Sequence, residues 1–139
     1  GFLHWGHDIS PEENQYEASL NFAISYKKNV DFIGKEALLK IKVQKNFKQF
    51  VMLSLKNSKP GEPLLLHDEP IYLEDKIIGR TTSGNYSFNY KKNISFGYIK
   101  SESLISELAK QNLFVEIEKK KYPVTLETRP LKNKDFQSL

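Results

Sequence analysis

Most of the side chains that could take part in chemistry lie within the first ten residues. Two histidines, His4 and His7, are separated by two residues, one of which is the chain's single tryptophan, Trp5. Asp8 follows directly. Imidazole and carboxylate groups are common ligands of zinc and other transition metals. However, the sequence has no cysteine, and its one further histidine, His67, is far away along the chain. We therefore expect no metal site, and expect these side chains to be hydrogen-bonded within a turn.

Asp8 and Trp5 each have a structural interpretation. Asp8 precedes the turn sequence SPEE at residues 10–13, and an aspartate there can order the following turn by accepting backbone N–H groups. The sequence leaves two interpretations of Trp5 open, because an indole can fill a hydrophobic core or stack on a flat heterocycle. The apolar neighbours Leu3 and Ile9 are expected to be core residues. No catalytic residue is predicted in this chain.

Two other polar stretches each have a functional and a structural interpretation. Residues 81–86, TTSGNY, concentrate hydroxyls beside a glycine and are predicted to form a loop between strands. Such a loop can offer backbone N–H groups to a carboxylate, although most loops of this kind satisfy their own polar groups. The basic triplet Lys119-Lys120-Lys121 is predicted to be a hairpin turn whose side chains are solvated, rather than a phosphate site.

The hydrophobic period divides the chain into two parts. In the first part, residues 20–26 alternate apolar and polar side chains, which predicts a strand. Residues 35–45 then show a helical period, with Asp31 as the expected N-cap. We place a domain boundary after this helix, so residues 1–46 form the first part. Within it, Glu17 is either a buried hydrogen-bonding residue or a surface carboxylate.

From Phe47 onward the hydrophobic period is two residues, which is typical of strands. Six or so short strands, with one helix at residues 103–111, predict a small closed antiparallel β-barrel that leaves no strand edge exposed. The predicted fold class is therefore mainly β (α+β overall), with the barrel over residues 47–131 and a tail over residues 132–139. The strands are expected around residues 51–55, 71–73, 77–79, 94–98, 113–117 and 122–126, and a tight turn at residues 74–76 joins the second to the third.

The composition argues against several classes of partner. The formal net charge is +4, but only Arg80 and Arg129 are arginines, which leaves 19 lysines among the 21 basic residues. Specific recognition of phosphates and bases favours arginine, so we expect no nucleic-acid partner. No run approaches 18 apolar residues, so no membrane association is expected. The absence of cysteine favours a reducing compartment, and we expect the cytoplasm.

Four stretches together resemble a known family. Residues 1–20, GFLHWGHDISPEENQYEASL, and residues 31–38, DFIGKEAL, are similar to two elements of the glycine cleavage T-protein (aminomethyltransferase) family. Residues 79–87, GRTTSGNYS, and residues 94–99, ISFGYI, resemble the paired motifs of that family's C-terminal barrel. The segments HWGHD and TTSG resemble the form of the family that is fused to flavin dehydrogenases for dimethylglycine and sarcosine.

The resemblance implies a function that composition and spacing alone do not. It implies the C-terminal part of an enzyme that transfers one-carbon units to tetrahydrofolate, with residues 1–46 a remnant of the folate-binding domain and with FAD in a domain further upstream. The catalytic carboxylate and most of the folate pocket would precede Gly1, so the chain alone is expected to be inactive. Trp5 would border the pterin, Arg129 would pair with the glutamate tail of folate, and Tyr86 would be a further cofactor contact. The resemblance implies that the main role of residues 81–86 is contact with the neighbouring domain, and that contact with a ligand is secondary.

Other functions remain open at this point. Within the family, the alternatives are a standalone T-protein and a related folate-dependent demethylase. In a different class, the chain would be a non-catalytic basic β-barrel that binds RNA or a protein partner. The expected partners of the leading interpretation are folate and a small N-methylated amine or aminomethyl donor.

Overall fold

Six antiparallel strands close into a barrel. The computed structural model describes residues 2–28, 30–44, 48–60, 62–128 and 131. The strands are β1 (Gln49–Leu55), β2 (Pro70–Leu73), β3 (Lys76–Ser87), β4 (Lys92–Ile99), β5 (Leu113–Ile117) and β6 (Lys120–Glu127), and the α-helices are α1 (Lys35–Lys42) and α2 (Ile105–Leu108). The strand order around the barrel is β1-β4-β3-β2-β5-β6, and β6 pairs with β1 to close it. The closed barrel predicted from the sequence is confirmed.

Aliphatic side chains from all six strands fill the barrel. In β1, Val51, Leu53 and Leu55 alternate inward and are buried, as the two-residue period predicts. Removing these side chains from water is the main favourable contribution to folding. The buried cluster consists of Val51, Leu53, Leu55, Leu65, Ile71, Ile78, Ile99, Leu108, Leu113, Val115, Val124 and Leu126.

Strand β4 directs its larger apolar side chains outward. Ile99 belongs to the buried cluster, and the side-chain alternation of a strand places Ser95 on the same inner face. Phe96 and Tyr98 therefore lie on the outer face, where they meet residues 2–28, the N-terminal segment. The alternation predicted for this strand is present, but its apolar face packs outside the barrel.

The N-terminal segment contributes no strand to the sheet, so the strand predicted at residues 20–26 is wrong. A single turn of 3-10 helix, Asn21–Ala23, stands in its place, and Phe22 is 81% exposed. A closed barrel offers no free edge with which a further strand could pair. The alternating pattern in this segment therefore has no sheet to join.

Helix α1 begins at a different cap from the one predicted. Its N-cap is Gly34, whose φ of +88° is a left-handed conformation that glycine adopts readily. Asp31, the expected cap, instead places Oδ1 3.7 Å from the ammonium nitrogen of Lys35. The helix ends at Lys42, and the domain boundary predicted at Asn46 lies outside the described residues.

Helix α2 is shorter than the helix predicted at residues 103–111. It is a single turn that inserts Leu108 into the barrel core. The Glu107 carboxylate accepts the backbone N–H of Leu104, at 3.3 Å, and so caps its first turn. None of the helices in the described part of the chain has the length and apolar character needed to cross a lipid bilayer.

One hairpin turn lies where it was predicted and the other is shifted. Leu73 pairs with Lys76, which confirms the tight turn between β2 and β3. The turn between β5 and β6 is formed by Glu118 and Lys119, whose φ angles of 49° and 64° fit the type I′ turn of two-residue hairpins. The basic triplet is therefore not the turn itself, because its last two lysines belong to β6.

Strands β3 and β4 approach each other closely at two glycines. A Cβ atom on Gly79 would lie 2.0 Å from the carbonyl oxygen of Tyr98, and one on Gly97 would lie 2.5 Å from that of Arg80. Only glycine, which has no Cβ, fits where the paired strands are this close. Immediately beyond it the β3–β4 register shifts between Thr81 and Ser83, which marks a β-bulge.

Candidate functional site

Asp8 ties the N-terminal segment to the barrel. The residue is 1% exposed, and its Oδ1 accepts hydrogen bonds from the hydroxyls of Thr82 at 2.5 Å and Ser83 at 2.7 Å. Its Oδ2 accepts the backbone N–H of His4 at 2.9 Å. Asp8 therefore orders the turn that precedes it, and the prediction that it orders the following SPEE turn is wrong.

The β3 bulge explains how two consecutive hydroxyls reach one carboxylate. In a regular strand, the side chains of Thr82 and Ser83 would point to opposite faces. The bulge between Thr81 and Ser83 turns both toward Asp8. Residues 81–86 were predicted to be a loop and are instead part of β3, because pairing with β4 outweighs the turn-like composition. Thr82 and Ser83 contact the N-terminal segment through Asp8, while the expected contact of residues 81–86 with a neighbouring domain stays a prediction.

Tyr98 supports the same contact from β4. Its buried hydroxyl donates a hydrogen bond to the backbone carbonyl oxygen of Asp8 at 2.7 Å. Burial, together with the nearby carboxylates of Glu13, Asp8 and Glu17, raises the pKa of Tyr98 above its ordinary value of 10.0. The hydroxyl therefore remains a donor throughout the physiological pH range.

Residues 4–9 form a loop that presents Trp5 at the surface. Gly6 has a φ of +87°, and its N–H donates to the carbonyl oxygen of Ile9 at 2.8 Å. The N–H of Asp8 donates to the carbonyl oxygen of His4, also at 2.8 Å. These bonds close the 4–9 loop on itself, and Trp5 is 68% exposed. Trp5 is therefore not a core residue.

An apolar groove lies between the 4–9 loop, the rest of the N-terminal segment and the outer face of the barrel. Its volume is about 890 Å³. Leu3 and Ile9, predicted as core residues, are half-buried in this groove and are not part of the barrel core. The aromatic side chains that line it are Phe2, Trp5, Tyr16, Phe22, Phe50 and Phe96.

The predicted cofactor residues do not all meet at the groove. Trp5 lines it, whereas Tyr86 is absent from the described residues that line it and packs edge-on against Phe88, with 5.1 Å between ring centroids. Arg129 lies outside the described residues. The role of these three residues toward folate stays a prediction.

His67 lies at the same cleft as His4 and His7, although it is far from them in sequence. His4, His7 and His67 line a smaller cleft on the other side of the 4–9 loop, and the His4 and His7 ring centroids are 4.6 Å apart. His67 Nδ1 lies 3.1 Å from an oxygen of Asp68. In the described part of the chain, no three metal-ligating side chains are arranged to hold a metal ion.

A second connection joins the N-terminal segment to β1. The Glu13 carboxylate accepts hydrogen bonds from the Lys48 ammonium group and from the N–H and hydroxyl of Ser10. Nearby, the Phe50 N–H donates to the Glu17 carbonyl oxygen at 2.8 Å. The side chain of Glu17 accepts the backbone N–H of Asn14 but is only half-buried, so it lies between its two predicted environments.

The Glu13 connection predicts a loss of stability at acidic pH. Burial raises the pKa of Glu13, but the bonds from Lys48 and Ser10 outweigh it and bring the pKa below the ordinary 4.5. A carboxylate with a lowered folded-state pKa stabilises the fold above its unfolded-state pKa, and this contribution disappears as the pH falls through the folded-state value. Thermal unfolding measured from about pH 6 to about pH 3 should show the advantage over Glu13→Gln shrinking as the pH falls. Glu12→Gln, at an exposed neighbour, is the control, and an advantage independent of pH would contradict the assignment.

Sequence reasoning missed the partners of Asp8. Thr82 and Ser83 were recognised as a hydroxyl-rich pair, and Tyr98 as a strand residue, but none was linked to Asp8. One signal existed, since a buried aspartate must find several donors and residues 81–83 hold three hydroxyls in a row. The signal did not specify which acidic residue the hydroxyls would meet.

The fold and the site together define a class of protein. It is a small closed antiparallel barrel with an N-terminal segment docked on its outer face by a buried aspartate, next to an aromatic groove. Residues 48–132 match the glycine cleavage T-protein C-terminal barrel domain. The chain belongs to this family.

Similar proteins include enzymes of two kinds. Dimethylglycine dehydrogenase of Rattus norvegicus, described as mitochondrial, is 35% identical over 130 residues, which are 94% of this chain and 14% of the relative. An aminomethyltransferase of Listeria welshimeri is 37% identical over 126 residues, covering 91% of this chain and 33% of the relative. The chain therefore spans between about one seventh and one third of the length of these relatives.

A solved structure shares the fold. The aminomethyltransferase T of the Bartonella henselae glycine cleavage system superposes with a TM-score of 0.72 at 21% identity, covering 93% of this chain and 35% of that one. The similarity thus extends beyond the barrel and includes most of the N-terminal segment.

Proposed function

We propose that this chain is the C-terminal part of a longer enzyme that transfers a one-carbon unit to tetrahydrofolate. In this proposal the carbon comes from an N-methylated amine such as dimethylglycine or sarcosine, and a preceding domain carries FAD. The dimethylglycine dehydrogenases and aminomethyltransferases among the relatives support the reaction class. The cytoplasmic location expected from the sequence stays a prediction.

The observation that carries the proposal is the exposed indole of Trp5 at the edge of the aromatic groove. A pterin is a flat, amphipathic heterocycle, and stacking on an indole buries its face at little conformational cost. The 4–9 loop holds Trp5 away from the barrel core, with most of its surface free for such a contact. In the proposed reaction, the Trp5 indole at the edge of the groove would hold the pterin so that the folate nitrogen lies close to the reactive carbon. This proximity lowers the barrier.

The described residues suggest that the chain supports the chemistry rather than performing it. The buried carboxylate of Asp8 is occupied by hydrogen bonds to the N-terminal turn and to β3, so it is not free to move a proton. We propose that the groups that move protons belong to the part of the polypeptide encoded upstream of Gly1. The isolated chain would then be inactive.

A standalone aminomethyltransferase is the second candidate, because the relative from Listeria welshimeri is 37% identical to this chain. The residues encoded upstream of Gly1 separate the two candidates. A glycine-rich dinucleotide-binding motif at the start of a βαβ unit would indicate the flavin-containing form. Its absence from the complete gene product would favour the standalone enzyme.

Calorimetry with tetrahydrofolate tests the proposal. The complete gene product, which includes the upstream residues, should bind tetrahydrofolate, whereas the 139-residue chain should bind it weakly or not at all. Micromolar affinity in the isolated chain would show that the pocket lies within it. No binding by the complete gene product would refute the folate-dependent function.

Replacing Trp5 in the complete gene product should weaken folate binding without destabilising the barrel. Trp5→Phe keeps an aromatic ring but loses stacking area, so the binding free energy should fall by about 1 kcal/mol, roughly fivefold in affinity. The thermal midpoint should remain unchanged, because Trp5 is largely exposed. Ile33→Val, at a fully exposed residue that is absent from the groove lining, is the control and should change neither quantity. A lower thermal midpoint with unaltered folate affinity would assign Trp5 a packing role.

A further inference from the structure

We propose that Asp8 is a positioning residue: its contacts with Thr82, Ser83 and Tyr98 fix the 4–9 loop and so set the position of Trp5 against the groove. The functional consequence rests on the proposed role of Trp5 in folate binding. The structural claim, that Asp8 orders the loop from beneath, can be tested without any ligand.

Every hydrogen-bonding group of Asp8 is engaged. Its N–H donates to His4, its carbonyl oxygen accepts the Tyr98 hydroxyl, and its two carboxylate oxygens accept three further donors from His4, Thr82 and Ser83. An ionised carboxylate only accepts hydrogen bonds, and all the groups that surround it donate. The site is thus complementary to a carboxylate, and bonds to a charged acceptor are stronger than neutral ones.

Within the described part of the chain, Asp8 is the polar attachment of the 4–9 loop to the barrel. Among the described residues, all hydrogen bonds between this loop and the strands end on Asp8. The side chains of His4, Trp5 and His7 are exposed and do not anchor it. The remaining bonds of the loop are internal and preserve its local shape, but they do not fix its position. Loss of the Asp8 side chain removes the bonds from Thr82 and Ser83 and leaves only the Tyr98 bond to the Asp8 carbonyl oxygen, so the loop should become less ordered.

The barrel is built to receive this carboxylate. The bulge in β3 places two consecutive hydroxyls on one side, and β4, which pairs with β3, contributes the Tyr98 hydroxyl to the same residue. Bulges commonly re-aim side chains beside functional sites. The strands thus fix Asp8, and through Asp8 they fix Trp5.

The test compares Asp8→Asn with Asp75→Asn in the 139-residue chain. Asparagine keeps an oxygen for the two hydroxyls but turns an NH₂ group toward the N–H of His4, so two donors face each other. We expect NMR order parameters of the loop amides to fall from about 0.85, typical of rigid backbone, to below about 0.6, while the barrel amides do not change. The indole N–H of Trp5 gives a single signal that reports the same loss of order. Asp75 is an exposed turn residue that contacts Lys121, so its variant should leave the loop rigid.

Ser83→Ala is the milder variant, because it removes one of the hydroxyls and retains the carboxylate. It should loosen the loop less than Asp8→Asn. A loop that stays rigid in both variants would overturn the proposal, and so would an equal loss of order in the barrel, since Asp8 would then be a general stability residue.

A double-mutant cycle in the complete gene product tests the functional consequence. If Asp8 acts through Trp5, then Asp8→Asn should weaken folate binding in the native background and add little to Trp5→Ala, because the two changes remove one interaction. Fully additive losses would overturn action through Trp5. If Trp5→Ala has no effect while Asp8→Asn still frees the loop, the folate function of Trp5 fails and the structural claim stands.

Discussion

Gly79→Ala is expected to destabilise the barrel by about 3 kcal/mol or more, because overpacking a tight contact forces the backbone to move. The added methyl group would lie 2.0 Å from the carbonyl oxygen of Tyr98 and 3.0 Å from the Cα of Ile99. Both are backbone atoms of the paired strand, which cannot rotate away as a flexible side chain can. Urea denaturation followed by circular dichroism would measure the loss.

Gly34→Ala is the matched glycine control. A Cβ at Gly34 would meet no atom within 4 Å, although the φ of +88° imposes backbone strain. Its cost should therefore be limited to about 1 kcal/mol, the usual range for a left-handed non-glycine residue. Equal losses of unfolding free energy in the two variants would mean that the contact between β3 and β4 at Gly79 is not tightly packed.

Leu53→Ala is expected to cost about 2–5 kcal/mol, which combines lost burial with the cavity left behind. Leu53 is fully buried at 0% exposure, between β4 on one side and β6 on the other. The closed barrel surrounds this position with paired strands, so collapse of the cavity would require the sheet to deform. We therefore expect a value in the upper half of the range.

Leu104→Ala is the comparison for the core substitution. Leu104 is 64% exposed at the start of α2, so its replacement should stay within about 0.5 kcal/mol. Equilibrium unfolding of both variants under identical conditions gives the difference directly. A Leu53→Ala cost below about 1 kcal/mol would indicate a barrel interior that repacks readily.

The barrel was predictable because its sequence pattern has a single cause. Alternation at residues such as Val51, Leu53 and Leu55 follows from a sheet with one face inside, and the positive-φ turns shorten the connections. The same pattern at residues 20–26 failed because pairing requires a free edge, which a closed barrel lacks. The prediction for residues 81–86 failed because a strand was mistaken for a loop. Their glycine and asparagine favour a turn, but their pairing with β4 decides the conformation.

The site was predictable only in its local part. Asp8 was predicted to order the SPEE turn that follows it, but the backbone N–H that its carboxylate accepts is that of His4, in the turn before it. Its other side-chain partners, Thr82 and Ser83, are 74 and 75 residues away, and no local pattern specifies such a pairing. The local sequence therefore identified two of the residues and missed the arrangement that joins them.

The separation of Asp8 from its partners also orders the events of folding. The bond from Tyr98 to Asp8 spans 90 residues, so it would close a very long chain segment if it formed first, at a substantial entropic cost. Pairing of β1 with β4 already brings most of that segment together, because Phe50 lies opposite Tyr98. The bulge and the Tyr98 hydroxyl that receive Asp8 both lie on barrel strands, so we expect the N-terminal segment to dock after β1 and β4 have paired. Docking of the loop that carries Trp5 is then expected to be a late step of folding.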